Sequence, residues 1–251
     1  MEEHLKRAVL AVQEFILLSA RAIANLFRRP HYWTDVWMQM DIIGVGSLPI
    51  VVLTGLFSGA VLALQMHKTL ATFGATAKTG TMVSYSLLLQ MGPVLTALMV
   101  AGRNAAGMAS ELGSMAVTEQ VDAMRALGTD PLKKLVTPRL LATVAVLPLL
   151  TIIADFTGVF GGFLISYFFI RLSPTQYWTS TYRDLELEDV VQGLAKPFVF
   201  AFAVALVGCY YGLTTRGGTQ GVGRSTTQAV VAASVLILAL NVLITKVFVR
   251  Q

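Results

Sequence analysis

LPIVVLTGLFSGAVLALQM, residues 48–66, contains no Asp, Glu, Lys or Arg. At 1.5 Å rise per residue such a run, coiled as a helix, spans the roughly 30 Å of a bilayer's hydrocarbon. Comparable apolar stretches recur at residues 82–100, 140–170, 190–213 and 229–249. Hydrocarbon offers no hydrogen-bond partner to a peptide group, so helices, which pair their own backbone, are the expected solution. The whole chain has 55% hydrophobic and 13% charged residues, against roughly one quarter charged in a soluble domain. The reading is an all-α polytopic membrane protein with five spans. A soluble all-helical domain would need a polar shell that this composition does not supply.

The ends and connections follow from the same pattern. Residues 1–41 read as an N-terminal interfacial segment and 42–251 as the transmembrane domain, with a polar connection at 103–138. In the first segment Leu5, Val9, Val12, Ile16 and Ala20 recur at helical spacing, with Lys6, Arg7, Gln13, Glu14 and Arg21 on other faces. That suits a helix lying in the membrane plane, or one packed on a partner. The segment is charged along its length and lacks a small-residue cleavage site, so it is not expected to be a cleaved signal. Tyr32, Trp33 and Trp37 follow, as rings at headgroup depth do.

With the N-terminus in the cytoplasm, the connections at 103–139 and 216–224 hold Arg103, Arg125, Lys133, Lys134, Arg139, Arg216 and Arg224, beside the basic N-terminal Arg28 and Arg29. The opposite side receives Lys68, Lys78, Arg171, Arg183, Lys196, Lys246 and Arg250, with the acidic Asp184, Glu186, Glu188 and Asp189. This bias predicts a cytoplasmic N-terminus and an outer C-terminus. It also accounts for the net charge of +5 without a basic, aromatic-lined groove for nucleic acid.

Inside the 103–138 connection, Thr118 is expected to cap a short helix with Glu119 and Asp122 in its first turn and Val121, Met124 and Leu127 as its apolar stripe. Gly128 and Asp130-Pro131 stop it, and Thr137-Pro138 reads as the cap of the third span. Such a helix either lies on the bilayer or fits a groove in a cytoplasmic motor subunit. Pro148 predicts a kinked but single third helix, and residues 187–196 a short amphipathic turn ahead of the fourth span. The glycine-rich run from Gly217 to Ser225 has GxxxxG spacing but Arg224 where a phosphate-binding loop needs lysine, and it follows no strand. A hinge is expected there, with Ser225 capping the last helix. This chain is not expected to be an ATPase.

Gly55 and Gly59, and Gly208 and Gly212, are small-xxx-small pairs that allow close helix approach. Gln90, Asp155 and Asn241 are polar residues in the apolar runs and are expected as intramembrane polar support. Cys209 is the single cysteine and reads as a small packed hydrophobe. His4, His31 and His67 are scattered, so no metal site and no catalytic constellation is expected.

Several blocks resemble one family. Leu48-Pro49-Ile50, Thr54-Gly55-Leu56-Phe57-Ser58-Gly59 and Leu62-Ala63-Leu64-Gln65 are similar to the first membrane helix of the MlaE/YrbE permeases. So are Gly92-Pro93 through Gly102-Arg103, Glu111-Leu112-Gly113, Glu119-Gln120-Val121-Asp122-Ala123, Pro138-Arg139 and Gly217 through Thr227. The resemblance covers roughly residues 42–249. It implies a permease of a lipid-transporting ABC system in a bacterial inner membrane. The implied partners are a second copy of the chain, two ATPase subunits that bind ATP and Mg, an MCE-domain assembly on the periplasmic side, in some systems a STAS-domain protein, and phospholipid as cargo.

By the same likeness Glu119, Asp122, Met124, Arg125 and Leu127 would couple to the ATPase. Leu56, Leu64, Met66, Tyr85, Leu98 and Met99 would line the lipid path. Two departures stand out: relatives commonly carry Arg-Glu-Leu where this chain has Leu89-Gln90-Met91, and many have Asp where Asn241 stands. From other classes, a non-transporting membrane scaffold fits the sequence too. An ion-coupled carrier would want more buried ionisable groups than Asp155.

Overall fold

A computed structural model describes residues 2–26 and 32–249, without the side chains of residues 2–5, 7, 8, 11 and 249. His4, Leu5, Arg7, Arg28, Arg29, His31 and Arg250 of the expected pattern therefore lie outside the described side chains. The described chain forms α1 (Glu2–Leu26), α2 (Trp33–Thr72), α3 (Thr79–Ser86), α4 (Gly92–Val100), α5 (Ala106–Val117), α6 (Gln120–Ala126), α7 (Thr137–Phe168), α8 (Pro174–Arg183), α9 (Leu187–Leu213) and α10 (Gly218–Val249). A 3₁₀ turn at Thr76–Lys78 leads into α3, and π turns at Leu87–Met91, Ala101–Ala105 and Leu132–Val136 join helices without breaking them.

Among the described residues five stretches are long and apolar enough to cross a membrane: Trp33–Thr72, Thr76–Val117, Leu132–Phe168, Leu187–Leu213 and Gly218–Phe248. The protein is an all-α polytopic membrane protein. The expected stripe of α1 is presented outward, Val9, Val12 and Ile16 each being 58% exposed, while Ala22 is buried.

Two of the π turns have a common cause in the sequence. Leu87–Met91 precedes Pro93 and Leu132–Val136 precedes Pro138, at the same offset. A proline cannot donate to the carbonyl four residues back, and its ring crowds that carbonyl. Widening the turn relieves the crowding. Accordingly the Gly92 amide donates to Leu87 O and the Thr137 amide to Leu132 O, each five residues back.

Several boundaries differ from the sequence expectation. The second span does not end at Arg103; it continues through Ala101–Ala105 to Val117, so the connection proper shrinks to residues 118–130. Thr118 is not an N-cap. Its hydroxyl donates back to Ser114 O at 2.8 Å and closes α5, while Glu119, at φ 60°, stands at the N-cap of α6 without a side-chain bond. The third span starts at Pro131 rather than Thr137, because Asp130 Oδ1 accepts from the Leu132 amide at 2.9 Å. The proline-at-the-first-turn logic holds, with a different proline.

Residues 187–196 are the first turns of one continuous α9, and α10 begins at Gly218, seven residues before Ser225. The true hinge is Gly217-Gly218, where both glycines take positive φ. The first span likewise begins at Trp33 and runs as one continuous helix through residue 41. Helix α8 was not anticipated; Ser173 caps it, accepting from the Gln176 amide at 3.2 Å, with Pro174 at its first position.

By contact density the chain divides into two compact units. One comprises Met1–Ile43, Val100–Ala145 and Ala201–Ile237. In it Gly208 and Gly212 pack on α5, where an added Cβ would stand 3.0 Å from Ala105 Cα and 2.7 Å from Leu112 Cβ. The other comprises Gly44–Met99, Val146–Phe200 and Leu238–Gln251. There α2 and α7 meet backbone to backbone: a Cβ on Gly59 would overlap the Gly158 carbonyl, and one on Gly161 the Leu56 carbonyl. Both small-residue pairs thus serve helix seams within the chain.

Candidate functional site

In the first unit, the short helix α6 is mounted between two left-handed residues, Glu119 at φ 60° and Gly128 at φ 75°. These sharp reversals hold it off α5 and the start of the third span. Val121 is its buried foot, at 4% exposure. Asp122 and Arg125 pair across one turn at 2.7 Å, both largely in solvent, and Leu127 is 84% exposed. Of the expected coupling residues, Glu119, Asp122, Arg125 and Leu127 are exposed and Met124 is half-buried. A large exposed leucine beside a solvated ion pair leaves this face of α6 open, unlike that of a core helix.

The flanking segments are held by charge. Lys134 Nζ pairs with Asp35 at 2.5 Å and lies 4.2 Å from the centre of the Tyr32 ring. Arg139, mostly buried, donates to Glu111 and to Leu135 O, both at 2.8 Å. Arg103 donates to Ile42 O at 3.0 Å. A cleft of about 560 Å³ brings Leu10 and Glu14 of α1 beside Arg125 and the Leu213–Arg216 segment. The amphipathic helix, the short helix and the segment leading into the glycine hinge thus share one surface. Phe15 adds an edge-on ring contact with Tyr210 at 5.5 Å.

In the second unit, the proposed path residues are not all brought together. Met99 lines a narrow groove with Val51, Thr54, Ser58, Met91, Leu95 and Thr96. Met66 instead packs on the core of Leu62, Ala63, Val83 and Leu87, and Leu64 is exposed. Leu56, Tyr85 and Leu98 are half-buried and outside that groove. The polar residues divide similarly. Asn241 Nδ2 donates to Gln90 Oε1, and Gln90 Nε2 donates to Thr245 Oγ1, each at 3.3 Å. Asp155 is separate: its Oδ1 presses on Gly92, buried and without a hydrogen-bond partner.

The polar residue that the sequence reading misplaced is Lys196. Counted there as an outer-loop cation, it is fully buried within α9 and donates to Leu89 O at 2.5 Å. The signal was present in Pro93, whose missing N–H leaves the Leu89 carbonyl in need of a donor. Among the described residues no group of His, Cys, Asp or Glu could hold a metal ion.

Comparison with known proteins agrees with this architecture. The family described as Permease MlaE matches residues 36–247. The chain belongs to that family. It is similar to a probable ABC transporter permease protein of Rickettsia felis, 45% identical over 238 residues, covering 95% of this chain and 92% of the relative. A probable ABC transporter permease protein of Synechocystis is 41% identical over 203 residues, 81% of this chain and 77% of the relative. The intermembrane phospholipid transport system permease protein MlaE of Haemophilus influenzae is 34% identical over 210 residues, 83% and 80% of the two chains.

Proposed function

We propose that this chain is the membrane subunit of an ATP-driven phospholipid transporter in a Gram-negative inner membrane, its N-terminus cytoplasmic and its C-terminus periplasmic. The observation that carries the reading is α6, an exposed helix fixed by Glu119 and Gly128 at both ends, on a chain of the MlaE permease family. Two copies of the chain form the permease. ATP and Mg bind on two ATPase subunits, which push on Asp122, Arg125 and Leu127. An MCE-domain assembly receives or delivers lipid on the periplasmic side, and a STAS-domain protein is a further cytoplasmic partner.

Transport needs no reactive group in this chain. The lipid is moved intact, so the chain has to offer an apolar surface for the tails and a wetter one for the headgroup. Met91, exposed at the rim of the narrow groove that also contains Met99, supports an apolar surface for the tails, since a flexible thioether adapts to tails of differing shape. The test is reconstitution of the complex into vesicles with labelled phospholipid. Lipid movement that requires both ATP and the ATPase subunit is expected. A complex that assembles and hydrolyses ATP without moving lipid would make this chain a scaffold instead.

A further inference from the structure

At the end of the second unit that carries residues 73–78 and 169–186, a cleft of about 750 Å³ opens between the 3₁₀ turn with α3 and the length of α8. Its charged lining is Lys78, Arg183 and Asp184, and Thr175 and Thr179 repeat one helical turn apart along its wall. The walls are fixed. Thr81 Oγ1 donates to Ser180 O at 2.7 Å and approaches Asp184 Oδ2 at 3.1 Å. Tyr177, buried behind α8, donates from its hydroxyl to Val159 O at 3.0 Å, and a Cβ on Gly80 would stand 2.5 Å from Tyr177 O.

The depth of the cleft is set by aromatic rings. Trp178 stacks on Tyr182 at 6.2 Å and leans on Phe163 at 5.4 Å, and Phe163 stacks on Tyr167 at 6.0 Å. Tyr167, Phe168, Phe169 and Tyr182 are exposed. Exposed Trp and Tyr collect where hydrocarbon meets headgroups, so the polar cleft beside them lies at the level of lipid phosphates. Two cations and one carboxylate in a hydroxyl-lined space match a ligand with one anionic and one cationic end. A purely anionic ligand would leave Asp184 opposed to it, and a purely cationic one would oppose Lys78 and Arg183.

We propose that this cleft binds the headgroup of a zwitterionic phospholipid, a phosphate diester bearing a primary amine, and so selects the cargo's headgroup. Lys78 and Arg183 pair with the phosphate, the guanidinium in a two-point contact. Asp184 takes the ammonium through the oxygen that Thr81 leaves open, and Thr175 and Thr179 supply hydroxyls to the phosphate oxygens. The inference rests on the phospholipid reading above and adds the headgroup class.

The test uses the full-length permease in phosphatidylcholine nanodiscs, with phosphatidylethanolamine and phosphatidylglycerol added in competition and bound lipid read by native mass spectrometry. Preference for phosphatidylethanolamine is expected in the wild type. Lys78→Ala with Arg183→Ala should lower retention of both lipids at least fivefold. Asp184→Asn should abolish the preference while phosphatidylglycerol retention holds. Unchanged retention and preference in these variants would overturn the site. So would soluble phosphoethanolamine binding as well as the lipid, or variants that weaken association with an MCE-domain partner but leave lipid retention intact. The assay needs no ATPase, so its failure is separate from failure of ATP-driven lipid movement in vesicles, which tests the transport reading.

Discussion

The ammonium of Lys196 donates to the carbonyl oxygen of Leu89 at 2.5 Å, and Lys196 is completely buried. Pro93 stands four residues after Leu89 and has no N–H to give it, so the lysine fills a vacancy in the helix's own ladder. The close seat of α9 on this turn, where a Cβ on Gly193 would stand 2.5 Å from Leu88 O, brings the two helices near enough for that bond. Pro93 and Lys196 are therefore energetically linked. Lys196→Met should cost about 1–3 kcal/mol by orphaning a buried carbonyl. The same substitution on a Pro93→Ala background should cost less, because the alanine amide can serve Leu89. Thermal unfolding of the four proteins in detergent measures the coupling, and equal losses on both backgrounds would refute it.

The α2–α7 seam predicts opposite outcomes for two glycines. Gly59→Ala should destabilise by about 1–3 kcal/mol or more, since its Cβ meets the Gly158 backbone, which cannot rotate away. Gly107→Ala on α5 has nothing within 4 Å and should gain about 0.5–1 kcal/mol from reduced chain entropy. Thermal midpoints that moved in the same direction would contradict the packing.

For the short helix, stability and assembly should separate. The Asp122–Arg125 pair is exposed on both sides and is worth no more than about 1 kcal/mol to the fold. Combined substitution of Asp122, Arg125 and Leu127 by Ala should therefore leave the thermal midpoint nearly unchanged. It should weaken capture of the ATPase subunit by about 2 kcal/mol or more, as truncation of interface anchors does. Co-purification with wild-type yield after the triple change would remove α6 from the contact.

Tyr177 makes a pH prediction. Burial raises its phenol pKa above the ordinary 10.0, because the phenolate would lose hydration. The neutral form holds its proton more tightly when folded than when unfolded. This contribution is thus fully present below pH 10 and declines as the pH rises above it. Tyr177→Phe should lower stability at neutral pH through loss of the bond to Val159 O, and should flatten the fall between about pH 10 and 11. A wild-type and variant difference independent of pH would rule out the linkage.

The sequence by itself determined the five spans, because a missing charge over some 20 residues is a local property that hydrocarbon enforces without reference to neighbours. It also determined the short helix after the second span, whose stop at Gly128 depends on one residue's conformational freedom. Cap positions were legible only in part. Thr118, Thr137 and Ser225 are good cap residues by type, yet each lies inside or at the end of a helix. Asp130 and the Gly217-Gly218 pair settle where the third and fifth spans begin.

Only the tertiary structure decided what the polar residues do. Lys196 reads as a loop cation from its neighbourhood in the chain, and only the fold brings it to a carbonyl 107 residues away. The Gln90–Asn241 bond joins residues 151 apart, and the lining of the 750 Å³ cleft draws Lys78 together with Arg183 and Asp184. Hydropathy sums over a window, so it records which segments leave water. Hydrogen bonds and charge pairs depend on distances of about 3 Å between particular atoms, and those are fixed only when the helices pack.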